Sequence, residues 1–534
     1  LADAMNRAEQ LARLRDGTPW DLAVIGGGAT GLGVALDAAA RGFRVVLLEG
    51  EDFAKGTSSR ATKLVHGGVR YLAQGNVALV REALHERATL LANAPHLAQP
   101  LAFVMPGYHW WERWFYGIGL KLYDALAGRR GLGDTQLLST AQTRALLPTV
   151  RADGLSGGVK YWDGQFDDAR LAVALARTAA ARGACVVNHC RVDGLLRDGG
   201  RVTGLLAHDR ESGERFTVRA ACVVNAAGVW VDEIRDFDRE PGTPSRAPMV
   251  APSQGVHLVV DRSFLPGDHA LLIPKTADGR VLFAVPWLGK TLLGTTDTPR
   301  DDLAAEPAPF HDEVEFILRE AGRYLSRAPT RADVRSVWVG LRPLVKPPED
   351  DGGPVNDTKA LSREHTVLVG RSGLVTVTGG KWTTYRAMAE DVLARCAEAA
   401  LLPPRPAGVT VRLPLVGAPA ASSVSLTRSP GEARYGTDLP ALRALPGADH
   451  WLWRDGEGGL SEAMVRFAAR VEMARTVEDV LARRCRLLFL DAREALRVAA
   501  EVGRLMREEL GADFNEAASV GAFEALAARY LELP

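Results

Sequence analysis

Cysteine is scarce and scattered in this chain of 534 residues. Its five cysteines, Cys185, Cys190, Cys222, Cys396 and Cys485, form no C-x-x-C pair and no cluster at metal-ligand spacing, which excludes a disulfide scaffold and any recognisable metal site. Dispersed single thiols suit a reducing compartment and read as core residues. No apolar run approaches the roughly 18 residues that a membrane-spanning helix needs. Leu1 to Arg15 is charged and lacks the apolar core of a signal peptide, and a first residue of Leu implies a missing or processed N-terminus. Neither sign of charge is in excess: 65 Lys and Arg balance 65 Asp and Glu, so no global field draws the chain to nucleic acid or to a membrane, and only local patches remain available. Internal repeats are also lacking. What is present is a globular composition, 47% hydrophobic and 24% charged, long enough for two or three domains.

The most informative stretch is Gly26-Gly27-Gly28-Ala29-Thr30-Gly31. It follows the apolar run Leu22–Ile25 and opens an alanine-rich helical segment that ends near Arg41-Gly42; a second apolar run, Arg44–Leu48, stops at Glu49. Strand, glycine turn, helix, strand and acid in that order form the dinucleotide-binding pattern. Gly26 permits the tight turn, Gly28 admits a pyrophosphate close to the backbone, and Gly31 lets helix and strand pack. The N–H groups at the helix start, from Ala29 and Thr30 onward, attract phosphate, and Glu49 is placed to accept from an adenosine ribose. The fingerprint alone does not separate FAD from NAD.

Further along, residues 4–16 read as a short amphipathic helix, Val77–Ala94 as a charged helix ending before Pro95, and 167–182 as another helix followed by the strand Ala184–Val187. Arg201–Leu206 and Phe216–Val218 read as paired strands, and Ala221–Asn225 as a buried strand running into the small-residue turn Ala226-Ala227-Gly228. Strand-like pieces at Gly255–Val260, Ala270–Pro274, Val281–Val285 and Thr291–Gly294 predict an antiparallel sheet between about 240 and 345. Val367–Val369 and Leu374–Thr378 return to strand character, and Gly379-Gly380-Lys381 opens a helix from about Thr383 to Ala399. Leu402-Pro403-Pro404-Arg405-Pro406 reads as a linker, with a helical pattern from about 430.

These segments carry a resemblance. Ile25 to Asp37 with Arg41-Gly42 resembles the N-terminal signature of the FAD-dependent glycerol-3-phosphate dehydrogenases, and Gly379 to Arg386 with Ala389 is similar to that family's second signature. Lys63–Leu72, Gly294–Asp297 and Trp338–Leu344 resemble further segments, and Val480–Arg484 more weakly resembles the helical tail; the likeness runs from about 18 to about 400. Leu32 departs from the small residue expected between Gly31 and Gly33, which bears on helix packing rather than on the phosphate turn. The resemblance implies FAD, oxidation of sn-glycerol 3-phosphate to dihydroxyacetone phosphate, and electron transfer to a quinone. It further implies an α/β fold: a Rossmann-like FAD-binding domain, an interleaved antiparallel-sheet substrate domain and a C-terminal α-helical domain. We expect the oxidoreductase region at 18–402, with FAD-binding parts at about 18–95, 150–235 and 350–402 and substrate or cap parts at about 96–149 and 236–349; linker and helical domain follow at 403–534.

The site residues can be read for that chemistry. A phosphate dianion needs two or more cationic or N–H-rich partners. Arg70 and Arg342 sit beside glycine or proline in apolar surroundings and are candidates for substrate; the alternative for each is a structural ion pair. Tyr71 is a candidate contact for substrate or flavin, with plain packing as the alternative. Alcohol oxidation needs a base for the hydroxyl proton while hydride leaves carbon, a task that suits a neutral histidine. His257 is that candidate, although a strand histidine is often only a satisfied core group, and Arg342 or Lys381 could instead polarise the alkoxide. His66, before Gly67-Gly68, is a candidate flavin contact. Ser58, Ser59, Thr62 and Lys63 are candidate ligands of the FAD phosphates and ribityl chain, and Ala227-Gly228 offers close backbone approach. Gly380-Lys381-Trp382-Thr383 opens a helix whose N-terminus can stabilise negative charge on reduced flavin.

One segment bears on location. Trp111, Trp114, Phe115, Ile118 and Leu122 fall at helical spacing beside Arg113, Lys121, Arg129 and Arg130, which suits a helix lying in lipid headgroups; a core stripe or a homodimer contact is the alternative. With the family monotopic, the expected location is cytoplasmic, on the inner face of the cell membrane.

Overall fold

The short all-apolar runs form the interior of a parallel sheet, where helices cover both faces and alternation is lost. In the computed structural model, which describes residues 5–68, 76–239, 242, 247–277, 279–346, 364–421 and 424–534, the strand Trp20–Ile25 lies at the sheet's centre. It runs parallel to Val45–Leu48 on one side and to Arg215–Asn225 on the other. Leu374–Gly379 and Cys185–Val187 extend the parallel run, and antiparallel His365–Val369, Arg201–Asp209 and Cys190–Asp198 complete eight strands. Helix Ala29–Ala40 is thin where it meets helix Tyr385–Glu398, since a Cβ on Gly33 would lie 2.9 Å from the Tyr385 ring. Leu32 is absorbed into the core beside them.

The second sheet has ten strands, antiparallel in every pairing except that of His269–Ile273 with Ala98–Gly107. Its long strand Val250–Asp261 pairs along its length with Ser336–Val345 and, toward its end, with Lys290–Gly294. The antiparallel sheet expected from about 240 onward is present, but it begins far earlier in the chain. Ala98–Gly107 pairs with Gly157–Phe166, and Leu64–Val65 joins the same edge. These last two segments fall inside the stretches assigned above to FAD binding. Gly157–Phe166 carries three glycines and several polar residues, so its apolar alternation is weak and its strand character is set by tertiary pairing.

Side chains alternate across this sheet. Val104, Val256 and Leu258 face the helix His311–Tyr324, whereas Phe103, Trp287 and Trp338 enter a core shared with Phe489, Val498 and Leu505. The latter three belong to a C-terminal region of helices Glu462–Val471, Ala492–Leu510 and Glu516–Leu531, joined by a hairpin of Trp451–Asp455 and Gly458–Ser461. The proline-rich stretch before that region is tethered: Arg405 lies 4.0 Å over the Phe43 ring and donates to the Arg41 carbonyl.

A buried ionic seam joins the C-terminal region to the first sheet. Arg484 donates to Asp52 at 2.6 and 2.9 Å, Arg483 reaches the same carboxylate, and Asn188 adds a bond at 2.9 Å. Arg434 meets Asp167 at 2.7 Å and Arg170 meets Glu472 at 2.9 Å. Burial opposes ionisation of Asp52, yet Arg484 and Arg483 hold its carboxyl below the usual range. Asp52, His189 and Asp479 lie close enough to suggest a metal cluster, but Arg483 and Arg484 already neutralise the two carboxylates. Removing one partner of such a pair strands a buried charge. Arg484→Met is therefore expected to lower stability to urea by about 3 kcal/mol, whereas Arg443→Ala, which breaks an exposed pair with Glu432, should cost less than about 1 kcal/mol.

Candidate active site

A cleft of about 610 Å³ lies where the C-terminal ends of the parallel strands meet the second sheet, the usual ligand position in such a fold. Ile25, Leu48 and Ala226 mark the strand ends, and Gly255, His257, Phe283 and Arg342 come from the opposite wall.

At one end the glycine turn is closed by its own contacts. Gly26 has φ +109°, and a Cβ there would lie 2.6 Å from the Ala226 carbonyl oxygen; one on Gly31 would lie 1.9 Å from the Gly26 carbonyl oxygen. The turn therefore demands glycine at both positions. It exposes the start of helix Ala29–Ala40, where Ala29 N–H donates to Ser58 Oγ at 2.9 Å. That hydroxyl marks an acceptor position over the helix N-terminus, which is also where a phosphate oxygen is best held. Glu49 spans the turn, accepting from Gly27 N–H at 2.6 Å and Glu51 N–H at 2.8 Å. Burial raises its carboxyl above the usual range against those two donors. Helix N-terminus, small-residue walls at Ala227 and Gly228, and an elongated cleft fit a dinucleotide.

On the opposite wall, two chemically active side chains, Arg342 and His257, lie together. Arg342 donates to the Thr296 carbonyl at 3.0 Å, to Thr295 Oγ1 at 3.3 Å and to Asp297 at 3.4 Å. Its guanidinium crosses the neighbouring strand only because residue 255 is glycine: a Cβ there would lie 2.3 Å from Nη2. His257 is buried, stacks on Trp338 with ring centres 4.1 Å apart, and shares a 2.9 Å hydrogen bond between Nε2 and Thr62 Oγ1. Its Nδ1 has no hydrogen-bond partner among the described residues. Burial, reinforced by the charges of Lys63 and Arg342, holds the imidazole well below its ordinary value, so it is neutral at pH 7. Lys381 also lines the cleft, just before the tight turn Trp382–Thr384 that leads into helix Tyr385–Glu398. Trp382 Nε1 donates to the Ser58 carbonyl at 2.8 Å, and Thr383 Oγ1 to that of His66 at 3.3 Å, tying this turn to the serine-rich loop.

Among the expected site residues, Gly26, Gly28, Ala29, Thr30, Glu49, Ser58, Thr62, His66, Ala227, Gly228, His257, Arg342, Gly380, Lys381, Trp382 and Thr383 line the cleft. Gly31, Ser59, Lys63, Gly67 and Gly68 do not; Gly31 packs under the turn against the Gly26 carbonyl instead of facing the cleft. The Lys63 ammonium points into the protein, donating to Asp168 at 2.6 Å, which replaces the expected phosphate contact with a buried ion pair. Gly67 N–H donates to Tyr123 Oη at 2.8 Å behind the wall. Arg70 and Tyr71 lie outside the described residues. Thr57, Arg60, Trp230, Glu233, Thr295 and Pro343 also line the cleft. Thr295 and Pro343 sit inside segments already singled out, but nothing local in the sequence distinguishes Trp230 or Arg60.

Gly28→Val would press a branched side chain toward Ser58 Oγ, only 3.0 Å from a Cβ at that position. The variant should purify with about tenfold less flavin, a loss near 1.4 kcal/mol of binding, measured from the visible absorbance released on denaturation.

Comparison with known proteins accords with this geometry. Residues 21–386 match the family model described as FAD dependent oxidoreductase, and residues 409–517 match the C-terminal domain of alpha-glycerophosphate oxidase. The mitochondrial glycerol-3-phosphate dehydrogenase of Arabidopsis thaliana is 40% identical over 531 residues, covering 92% of this chain and 83% of that protein. The human mitochondrial glycerol-3-phosphate dehydrogenase is 39% identical, covering 95% of this chain and 73% of that one. The crystal structure of the glycerol-3-phosphate dehydrogenase from Bacillus halodurans, complexed with FAD, superposes with a TM-score of 0.76 at 29% identity, over 100% of this chain and 99% of that one. FAD is thus the dinucleotide of the cleft, and the chain belongs to the family of FAD-dependent glycerol-3-phosphate dehydrogenases.

Proposed function

We propose that this enzyme oxidises sn-glycerol 3-phosphate to dihydroxyacetone phosphate and passes the electrons through FAD to a quinone at a membrane surface. The observation that carries the reading is a guanidinium beside a neutral imidazole in the wall of the FAD cleft, which Lys381 also lines. Arg342, oriented by Asp297 and the Thr295-Thr296 segment, is a ready-made partner for a phosphate dianion. Neutral His257, whose Nε2 shares its hydrogen bond with the cleft-lining Thr62, is the base that would receive the proton of the substrate's middle hydroxyl. Bound FAD supplies the two-electron acceptor. Lys381 and the N–H groups of the turn behind it favour negative charge at their end of the cleft.

The helix Glu112–Ala127 supports the membrane part of the reading. It buries Gly117, Leu120, Tyr123 and Ala127, and it leaves Trp111, Trp114, Phe115, Ile118 and Leu122 exposed, Ile118 to 72%. A stripe of that size and aromatic content on the outer face suits the lipid interface. Among the described residues, no helix is long and apolar enough to cross a membrane. The buried side of this helix reaches the site: Tyr123 Oη accepts from Gly67 N–H, next to His66 in the cleft wall. A surface-bound enzyme so arranged would keep its flavin site close to a quinone in the bilayer. Free thiols at all five cysteines agree with the cytoplasmic side.

Anaerobic mixing with sn-glycerol 3-phosphate is expected to bleach the flavin absorbance, with glycerol and amino acids leaving it coloured; bleaching by an amino acid alone would overturn the substrate assignment. Arg342→Ala should raise KM about 100-fold with FAD content unchanged, corresponding to a charged hydrogen-bonding partner worth about 2–3 kcal/mol. An unaltered KM would remove the phosphate role. Replacing Trp114, Phe115 and Ile118 by Ser should weaken vesicle binding by at least about tenfold while dye-linked turnover persists. Equal vesicle binding would end the membrane assignment, and rapid oxygen uptake without quinone would identify an oxidase instead.

A further inference from the structure

Behind the cleft wall, Lys63 occupies a setting that lysine seldom does. It is fully buried and has φ +66°, in the left-handed region. Its Nζ donates to Asp168 Oδ2 at 2.6 Å and to the Ser59 carbonyl at 2.7 Å. It also lies 4.5 Å from the Trp338 ring centre, 5.1 Å from that of Trp287 and 5.5 Å from that of Phe489. Arg486 closes the cage from the C-terminal region, donating to the same Ser59 carbonyl at 2.7 Å and to Asp168 Oδ1 at 3.1 Å.

Two routes lead from this buried cation to the imidazole of the cleft. Trp338, which the ammonium overlies, stacks on His257 with an interplanar angle of 19°. Thr62, the residue before Lys63, makes the hydrogen bond to His257 Nε2. An apolar side chain would fill a cage of three aromatic rings without the desolvation that an ion pair suffers, so packing alone does not account for a lysine here. We propose that Lys63 is the positioning residue of His257, fixing the ring through Trp338 and Thr62. The role rests on His257 acting as the base in the proposed function.

The charged groups facing His257 are Lys63 and, from the neighbouring strand, Arg342. Lys63 in turn is faced by Asp168, Asp167 and Arg486. Burial drives the Lys63 ammonium down to about 7, with Asp168 opposing and Arg486 adding to the fall. It is therefore charged throughout the acidic range in which the imidazole would take a proton. A positive neighbour disfavours that proton. Without it the imidazole is protonated at higher pH, and the acid limb of flavin reduction moves up with it.

The test uses holoenzyme labelled with 13Cε1-histidine, with His257 assigned by the signal missing from His257→Asn. Lys63→Met removes the charge. It leaves Asp168 paired with Arg486, and Lys63→Gln, which keeps a donor for the Ser59 carbonyl, serves should that variant fail to fold. We expect the His257 titration midpoint to rise by about one unit in these variants and to stay near the wild-type position in Lys63→Arg. In anaerobic single turnovers the acid limb of flavin reduction should shift equally, slowing reduction about tenfold on that limb. An unchanged His257 midpoint in Lys63→Met or Lys63→Gln overturns the inference, whatever the kinetics. A midpoint that rises while the acid limb stays in place upholds the control by Lys63 and overturns the base role of His257.

Discussion

Arg434, Arg483, Arg484 and Arg486 of the C-terminal region reach inward to Asp167, Asp52 and Asp168, and every one of these charges is buried. Unpaired, each would carry an uncompensated desolvation cost. The pairs therefore have only one acceptable register, and they seat the helical region against the loop after Val45–Leu48 and the start of helix Asp168–Ala181. Ser59 is held in the same network through its carbonyl. The serine-rich loop of the cleft is thereby positioned from behind by residues more than four hundred places further along the chain.

The cleft inherits its polarity from its two walls. The parallel sheet contributes strand ends, a glycine turn and a helix N-terminus, all backbone groups that favour anions without adding a formal charge. The antiparallel sheet contributes side chains: Arg342 as a fixed cation, and His257 as a group that burial and two cations keep neutral. Trp382 and Thr383 tie the turn after Leu374–Gly379 to the serine-rich loop through their bonds to the Ser58 and His66 carbonyls.

The phosphate turn was legible from residues 22–49 because Gly26 has φ +109° and Gly31 meets the Gly26 carbonyl within that segment, although the Ala226 carbonyl that also confines Gly26 is distant; Ala226–Gly228 was legible as a small-residue turn, with Gly228 at φ +61°. The strands Trp20–Ile25 and Arg215–Asn225 were marked by apolar runs too short for helices. Gly157–Phe166 was not recognised as part of the second sheet, since its strand identity comes from pairing with Ala98–Gly107 rather than from its own composition. Lys63 illustrates a further limit. Beside serine and threonine in a loop, it reads as a phosphate ligand; its positive φ and the distant Asp168 turn it inward. A long-range carboxylate leaves no trace in a local window. The exposed stripe of Trp114, Phe115 and Ile118 was visible as periodicity, but only its solvent exposure distinguishes it from core.

The interleaving of the two sheets has a consequence for synthesis on the ribosome. The central strand Trp20–Ile25 has one neighbour twenty-odd residues away and the other at Arg215–Asn225, and the sheet's parallel run ends with Leu374–Gly379. In between, the chain leaves for the second sheet and returns more than once. A nascent polypeptide therefore carries an open, sticky sheet edge until about two-thirds of it has emerged, and the wall at Lys381–Thr383 arrives later still. The cleft can close around flavin only after Thr383 has emerged, long after the phosphate turn at Gly26–Gly31 has been made.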